Sequence, residues 1–388
     1  MQRIYYNIDD CDFEKTVFQF PIEGGRKDTL MAFKKIGVLT SGGDAPGMNA
    51  CVKAVFNRAT EMGIEVVGIM GGYAGLVNGD IVPLTRQMMR GAMTVGGTRL
   101  YSSRLPEFKE REVQMIAVET CKREGIEALI CIGGDGTFRG ATDMTKLGIP
   151  SIGIPGTIDN DITATDYTIG LDTSTNTTLR MIDNLKDTCE SHARLNVVEV
   201  MGRDCGQIAL YAAIASSAVA VAIPEVPFDE AAAIQKIANL RDLGKRGMIV
   251  VVSEGVENPD GTRFAEGFAK RIEEQTGVET KFARFSHVVR GGRPTMRDRA
   301  TAAHMAVRAV ELLAEGKSNV VMCELNGLIR PVDIHFALIA DRMYKNKLKD
   351  GDLDGFTPEQ LEGMKQLCEK RREEIENLYK VAGHVGFR

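Results

Sequence analysis

Ala128-Leu129-Ile130-Cys131-Ile132-Gly133-Gly134-Asp135-Gly136-Thr137 runs from five apolar residues straight into a glycine-rich turn. The apolar run is short and unbroken, so it reads as a strand buried on both faces. Phe138 to Lys146 then reads as a helix. Strand, glycine turn and helix in that order aim backbone N–H groups and a helix N-terminus at one point, which suits an anion.

Outward from this unit the alternation repeats. Ile36–Thr40, Val66–Ile69 and Ser151–Ile154 read as strands, and Asn49–Met62 and Glu112–Arg123 as helices. Further on, Val197–Val200, Val219–Ile223 and Met248–Val252 read as strands, between helices at Asp172–Cys189, Gly206–Ser216 and Asp229–Asp242. Thr295–Glu315 is a long helical pattern, Val320–Met322 a strand, and Pro358–Tyr379 a charged amphipathic helix of the surface or of a subunit contact. Alternating strands and helices imply mainly parallel sheets covered by helices, here in two α/β domains with the second starting near residue 171.

The chain has 388 residues, of which 44% are hydrophobic and 26% charged, with a formal net charge of -5. That balance disfavours a nucleic-acid binder, which carries a basic stripe. It does not disfavour anionic substrates, because arginines can cluster locally. No apolar run is long enough to span a bilayer. The eight cysteines show no CxxC spacing, and the five histidines are isolated, so a zinc site is not expected. They read as reduced thiols of a cytoplasmic protein. The first thirty residues lack a signal-peptide h-region and read as an extension outside the core.

Two further segments carry chemistry. Leu39-Thr40-Ser41-Gly42-Gly43-Asp44 places a second glycine turn where a strand gives way to a helix, without the GK[ST] of a Walker A motif. Pro155-Gly156-Thr157-Ile158-Asp159-Asn160-Asp161 follows the next strand. If it stays extended, Thr157, Asp159 and Asp161 point the same way. Asp135 reads either as an aspartate of an Asx turn or as a ligand of Mg²⁺, which takes few carboxylates plus phosphate oxygens. A polyphosphate cradle beside paired carboxylates is what phosphoryl transfer to an alcohol requires, with Asp159 accepting the hydroxyl proton. Arg104, Arg194, Arg203, Lys281, Arg290 and Arg293 are candidates for covering the phosphates.

Gly37–Asn49 (GVLTSGGDAPGMN), Gly133–Thr137, Pro155–Asp161, Val198–Arg203 (VEVMGR) and His287–Gly292 (HVVRGG) together closely resemble the ATP-dependent 6-phosphofructokinase family. The resemblance covers Lys34 to about Leu325. It implies two Rossmann-like three-layer α/β/α domains, with the active site in the cleft between them. Residues 31–170 and 289–335 would form the larger, ATP-binding domain and 171–288 the smaller, sugar-phosphate domain. Residues 336–388 would be a helical extension.

The resemblance also implies residue roles. Gly43, Arg104, Leu105, Gly134, Asp135, Gly136 and Thr137 would hold ATP, with Asp135 at Mg²⁺. Asp159, Thr157, Asp161 and Arg203 would be catalytic. Ile158, Met201, Gly202, Glu254, His287, Val288, Val289 and Arg290 would line the fructose 6-phosphate site with Thr157, Asp159 and Arg203. Arg194 and Lys281 would enter that site from a neighbouring subunit, which implies a homotetramer. Lys281 stands where the family has arginine, so the acceptor range is open to other sugar phosphates such as sedoheptulose 7-phosphate. Pyrophosphate-dependent members carry aspartate where this chain has Gly136 and lysine where it has Gly156. Glycine at both positions leaves room for a nucleotide and implies ATP as donor. At the family's effector site Arg86 and Lys245 match, while Lys53, Asn57, Lys186 and Val219 depart. A pyrophosphate-dependent enzyme and a non-catalytic nucleotide-sensing subunit are the alternatives.

Overall fold

The computed structural model describes residues 33–386. The reading of the first thirty residues as an extension lies outside them, as does Cys11. The chain opens with β1 (Lys35–Ser41), α1 (Met48–Glu61), β2 (Glu65–Ile69), α2 (Gly72–Asn78) and β3 (Ile81–Pro83). After an irregular stretch come α3 (Arg111–Glu124), β4 (Ala128–Gly133), α4 (Asp135–Lys146) and β5 (Ser151–Pro155). The next set is α5 (Leu171–His192), β6 (Leu195–Val200), α6 (Gln207–Ser216), β7 (Ala220–Ala222), α7 (Glu230–Asp242), β8 (Met248–Ser253), α8 (Phe264–Thr276) and β9 (Thr280–Arg284). The chain closes with α9 (Met296–Ala314), β10 (Val320–Leu325), β11 (Leu328–Asp333), α10 (Ile334–Tyr344) and α11 (Pro358–Val385).

These strands form a seven-stranded sheet in the order β11-β10-β5-β4-β1-β2-β3 and a four-stranded sheet in the order β7-β8-β6-β9. The small sheet is parallel throughout. In the large one only the edge pairs β2–β3 and β10–β11 are antiparallel. The expected α/β class with two mainly parallel sheets is what forms.

The layers follow from side-chain alternation along the strands. Ile130 and Ile132 of β4 share a cluster with Val52 and Val55 of α1 and Ala306 and Val310 of α9. Leu129 and Cys131, pointing the other way, share one with Ala117 of α3 and Phe138 and Met144 of α4. Both faces of the sheet are thus covered, and each fully buried Leu or Ile contributes about 1.5–3 kcal/mol. The described cysteines are free and buried. No helix among the described residues is long and apolar enough to cross a membrane.

The C-terminal segments are helical and pack onto the layers already described. α10 buries Phe336, Ile339 and Ala340 against the large sheet and α4, so packing of that layer continues beyond residue 335. α11 is the expected amphipathic helix, exposed on one face and built into the fold by the other. It packs on α10, α6 and β7, burying Met364, Leu367, Cys368, Arg371 and Ile375 on one stripe. Pro358 at its first position and a Thr357–Gln360 capping box fix where it starts.

One buried carboxylate joins the two sets of elements. Asp298, in the first turn of α9, is 0% exposed. Its Oδ1 accepts from Tyr167 Oη and from Gly170 N, both at 2.6 Å, and its Oδ2 from Thr173 N at 2.9 Å and from the Thr173 hydroxyl. α9 is thereby tied to the start of α5. Asp298→Asn leaves donors of this cluster facing an amide NH₂, a loss of about 2–3 kcal/mol. Its thermal unfolding midpoint should fall by several degrees, and an unchanged midpoint would remove Asp298 from this role.

Candidate active site

Three loops leave the C-terminal ends of neighbouring parallel strands at one level. Ser41 of β1 pairs with Gly133 of β4, and Gly133 with Pro155 of β5. Thr137 Oγ1 donates to Ser41 O at 3.2 Å, and Gly156 N to Gly133 O at 2.9 Å, which ties the loops together. Ligands of open α/β sheets bind at such strand ends. Between the loops lies a cavity of about 580 Å³, lined by Gly43, Arg104, Leu105, Gly134 to Thr137, Thr157, Asp159, Asp161 and Arg203. A second cavity of about 480 Å³ adjoins it, lined by Met201, Glu254, His287 and Asp44 among others. Arg104, Arg203 and Arg290 line both.

The first cavity is made for anions. α4 begins at Gly134 with no side-chain cap, whereas α10 and α11 close their first turns with Asp333 and Thr357. Thr137 N donates to Gly134 O at 2.9 Å, while the first amides of the helix, those of Asp135 and Gly136, face a place that suits an anion. Asp135 faces the cavity and is ion-paired with Arg139 one turn on. Among the described residues no three His, Cys, Asp or Glu side chains gather as a metal site. One carboxylate beside a phosphate cradle fits Mg²⁺, which is held largely by phosphate oxygens and water.

The carboxylates meet by a different route from the one expected. The segment does not continue as a strand past Gly156, and Asn160 adopts φ 49°. Alternation along an extended chain therefore does not align Asp159 with Asp161. Arg203 does so instead: its Nε is 3.4 Å from Asp159 Oδ2 and its Nη1 4.0 Å from Asp161 Oδ2. Arg203 is itself left-handed at φ 51°, after Gly202 at φ 143°. A Cβ on Gly202 would lie 2.3 Å from Cys205 O, so this turn requires glycine. Glu254 Oε1 holds the turn, accepting from Gly202 N and Arg203 N at 3.2 Å each.

Asp159 is 2% exposed, and its Oδ1 has no hydrogen-bond partner among the described residues. Arg290 Nη2 stands 3.8 Å from that oxygen. Burial, and after it the charge of Asp161, push the Asp159 carboxyl up to about 6, against the opposing pull of Arg290 and Arg203. Arg290 also donates from Nη1 to Asp44 O at 3.1 Å, so it lies across the Gly43 turn.

Six residues with expected roles stand apart from the cleft walls, one of them Gly202, which forms the turn before Arg203. Ile158 and Val289 are fully buried in the core, and Val288 points outward. Arg194 and Lys281 sit together on Glu279, at 2.7 and 3.0 Å, and line neither cavity. Arg194 and then Lys281 hold the Glu279 carboxyl down at about 2. The two glycines also separate. Gly136 has nothing within 4 Å of a built Cβ, so a side chain there enters open space. Gly156 lines the first cavity, and a Cβ there would meet Ile132 at 3.0 Å and Met48 at 3.1 Å, so glycine at this position also serves core packing. Sequence reading passed over Arg139, although its i,i+4 spacing from Asp135 is a visible signal. It also passed over Lys345 and Arg371, which lie beyond the motifs.

A two-domain α/β fold, with an anion cradle beside a buried carboxylate, defines an enzyme of phosphoryl transfer to an alcohol. The family model for phosphofructokinase matches residues 35–313. The chain is 47% identical over 315 residues to ATP-dependent 6-phosphofructokinase 1 of Clostridium perfringens, covering 81% of this chain and 97% of the relative. It is 48% identical to ATP-dependent 6-phosphofructokinase of Lactobacillus johnsonii, covering 78% and 92%. The crystal structure of Pichia pastoris phosphofructokinase in the T-state superposes with a TM-score of 0.75 at 31% identity, covering 88% of this chain and 40% of that one. The pyrophosphate-dependent phosphofructokinase of Marinobacter aquaeolei shares the fold at a TM-score of 0.68 and 21% identity, covering 87% and 92%. The chain belongs to the phosphofructokinase family.

A base must be ionised to accept a proton, so kcat/KM for the acceptor should fall as pH drops through about 6, the value to which Asp159 is raised. Asp161→Asn removes a charge that raises it, so the acid limb should move to lower pH. The acceptor's own phosphate titrates identically in both proteins and cancels in this comparison. An unmoved limb in the variant would mean that Asp159 does not set it.

Proposed function

We propose that the cleft transfers the γ-phosphoryl group of MgATP to the 1-hydroxyl of fructose 6-phosphate, giving fructose 1,6-bisphosphate, the reaction of ATP-dependent 6-phosphofructokinase in glycolysis. One observation carries the assignment of the base: Asp159 is buried in the wall of the first cavity, with Oδ1 unpartnered, beside Arg203 and Arg290, which line both cavities. The hydroxyl oxygen forms its bond to the γ-phosphorus as the bond from phosphorus to the bridging oxygen breaks, and Asp159 takes the proton. An ordinary carboxylate suffices, because such transfer depends on in-line placement and charge neutralisation more than on basicity.

The Gly134–Thr137 loop, with Gly43 and Arg104, holds the ATP phosphates. Thr157 and Arg203 cover the group in transit. Met201, Glu254, His287 and Arg290 hold the sugar phosphate. Mg²⁺, held by Asp135 and phosphate oxygens, supplies charge neutralisation when bound. Arg194 and Lys281 complete the sugar-phosphate site of a neighbouring subunit in a homotetramer; their pairing outside their own cleft supports this reading.

The donor is tested by assaying ATP and pyrophosphate against fructose 6-phosphate and sedoheptulose 7-phosphate. Turnover with pyrophosphate and none with ATP would overturn the assignment. Gly136→Ala should stay within about twofold of the parent, because its Cβ meets nothing. Gly136→Asp puts a carboxylate against the donor phosphates and should lower kcat/KM for ATP by about tenfold or more; equal values for the two variants would contradict a charge effect.

Shared sites are tested by subunit mixing. Asp159→Asn should lower kcat by orders of magnitude with the fold intact. Arg194→Ala should raise KM for fructose 6-phosphate. Dissociating and reassociating the two together should restore sites that have both groups and hence activity. No recovery would place Arg194 outside a shared site.

A further inference from the structure

We propose that Arg371, on the C-terminal helix α11, is a positioning residue for the transfer: it holds the Asn160 carbonyl and thereby sets where Asp159 and Asp161 stand. The inference rests on the reading of Asp159 as the base. It concerns a part of the chain beyond residue 313, where the family match ends.

Asn160 is the residue between the two aspartates, fully buried and left-handed at φ 49°. Asparagine enters that conformation more readily than other side-chain-bearing residues, and here specific contacts fix it. The Asn160 carbonyl accepts from Arg371 Nη2, with Cys205 Sγ at 3.7 Å. The Asn160 side-chain amide donates to Gln207 Oε1 and, at 3.2 Å, to Asp166 O. Gln207 Nε2 donates to Glu374 Oε1 at 2.8 Å, and Arg371 Nη1 to Glu374 Oε2 at 3.1 Å. Arg371, Asn160, Gln207 and Glu374 thus close a ring, two of its members coming from α11.

The neighbouring loop residues are pinned from the same side. Lys345, just after α10, donates from Nζ to Asp161 O at 2.9 Å and to Asp341 Oδ2 at 2.8 Å. Lys370, on α11, donates to Asp166 Oδ1 at 3.0 Å. With Thr163 Oγ1 donating to Asp341 Oδ1 at 3.0 Å, the segment from Asn160 to Asp166 is held against the C-terminal helices at four places.

Arg371 is 5% exposed. Burying a guanidinium carries a desolvation cost that a well-packed apolar residue avoids, so packing alone does not call for arginine here. What an apolar residue lacks is the donor for the Asn160 carbonyl. A shift of about 1 Å at a reacting group costs up to a hundredfold in rate. Loss of this donor should therefore appear in kcat while the glycine loops, and the affinity for MgATP, are left alone.

The test compares Arg371→Met, which keeps length and loses the donors, with the parent and with Glu373→Ala, an exposed change on the same helix. For Arg371→Met, kcat per folded molecule should fall about tenfold or more, with KM for MgATP within about twofold and Glu373→Ala unchanged. Methylguanidine added to Arg371→Ala should restore part of the lost kcat. An unchanged kcat in folded Arg371→Met overturns the proposal, as does a loss that tracks only the unfolded fraction. Should Arg371→Met not fold, Glu374→Ala decides: it removes the carboxylate that orients the guanidinium and should lower kcat severalfold, and an unchanged kcat overturns the proposal. Asp159→Asn measured alongside separates the two readings. An inactive Asp159→Asn beside a fully active Arg371→Met removes only the positioning role, whereas an active Asp159→Asn removes the base.

Discussion

Ser41, Gly133 and Pro155 lie abreast on three neighbouring parallel strands, and the site depends on that register. Parallel strands all point one way, so their outgoing loops share an edge. The alternation that buries Ile130 toward α1 and Leu129 toward α4 fixes the register, because a slip of one residue would turn each side chain to the wrong layer. Core packing thereby sets the spacing between the Gly43 turn, the Gly134–Thr137 cradle and the Asp159 loop. None of these loops could find that spacing alone.

The electrostatics of the cleft are a balance between burial and pairing. A carboxylate as buried as Asp159 would protonate if left alone, and Asp161 adds to that tendency. Arg203 and Arg290 oppose it without taking every lone pair, since Oδ1 stays unpartnered. The same two guanidiniums line both cavities, so the groups that keep Asp159 ionised also face the place where phosphate arrives. In the proposed reaction a single pair of arginines would thus serve both the base and the transferring group.

Much of this was legible in the sequence, for physical reasons. Strands buried on both faces appear as unbroken apolar runs, and the glycine turns after them mark the strand ends that carry ligands. Asp135, Asp159 and Arg203 sit in those turns and line the cleft. Other features left no such trace. Local alternation suggested that an extended chain aligns Asp159 with Asp161, yet Asn160 turns left-handed and a distant arginine does the aligning. The packing role of Gly156 left no trace either, because only the backbone geometry reveals that its Cβ would face Ile132 and Met48. Ile158 and Val289 belong to motifs whose alternate residues point into the core. Arg371 stands 211 residues from Asn160 in sequence, a separation at which no periodicity pairs them.

The central claim is that Asp159 Oδ1 is kept open for the acceptor hydroxyl. A crystal structure with fructose 6-phosphate and a non-hydrolysable ATP analogue with Mg²⁺ tests it directly. The account predicts the sugar 1-hydroxyl oxygen within about 2.6–3.2 Å of Asp159 Oδ1 and in line with the γ-phosphorus. A 1-hydroxyl bound to Asp161 or turned into solvent, with Oδ1 occupied by another group, would contradict it.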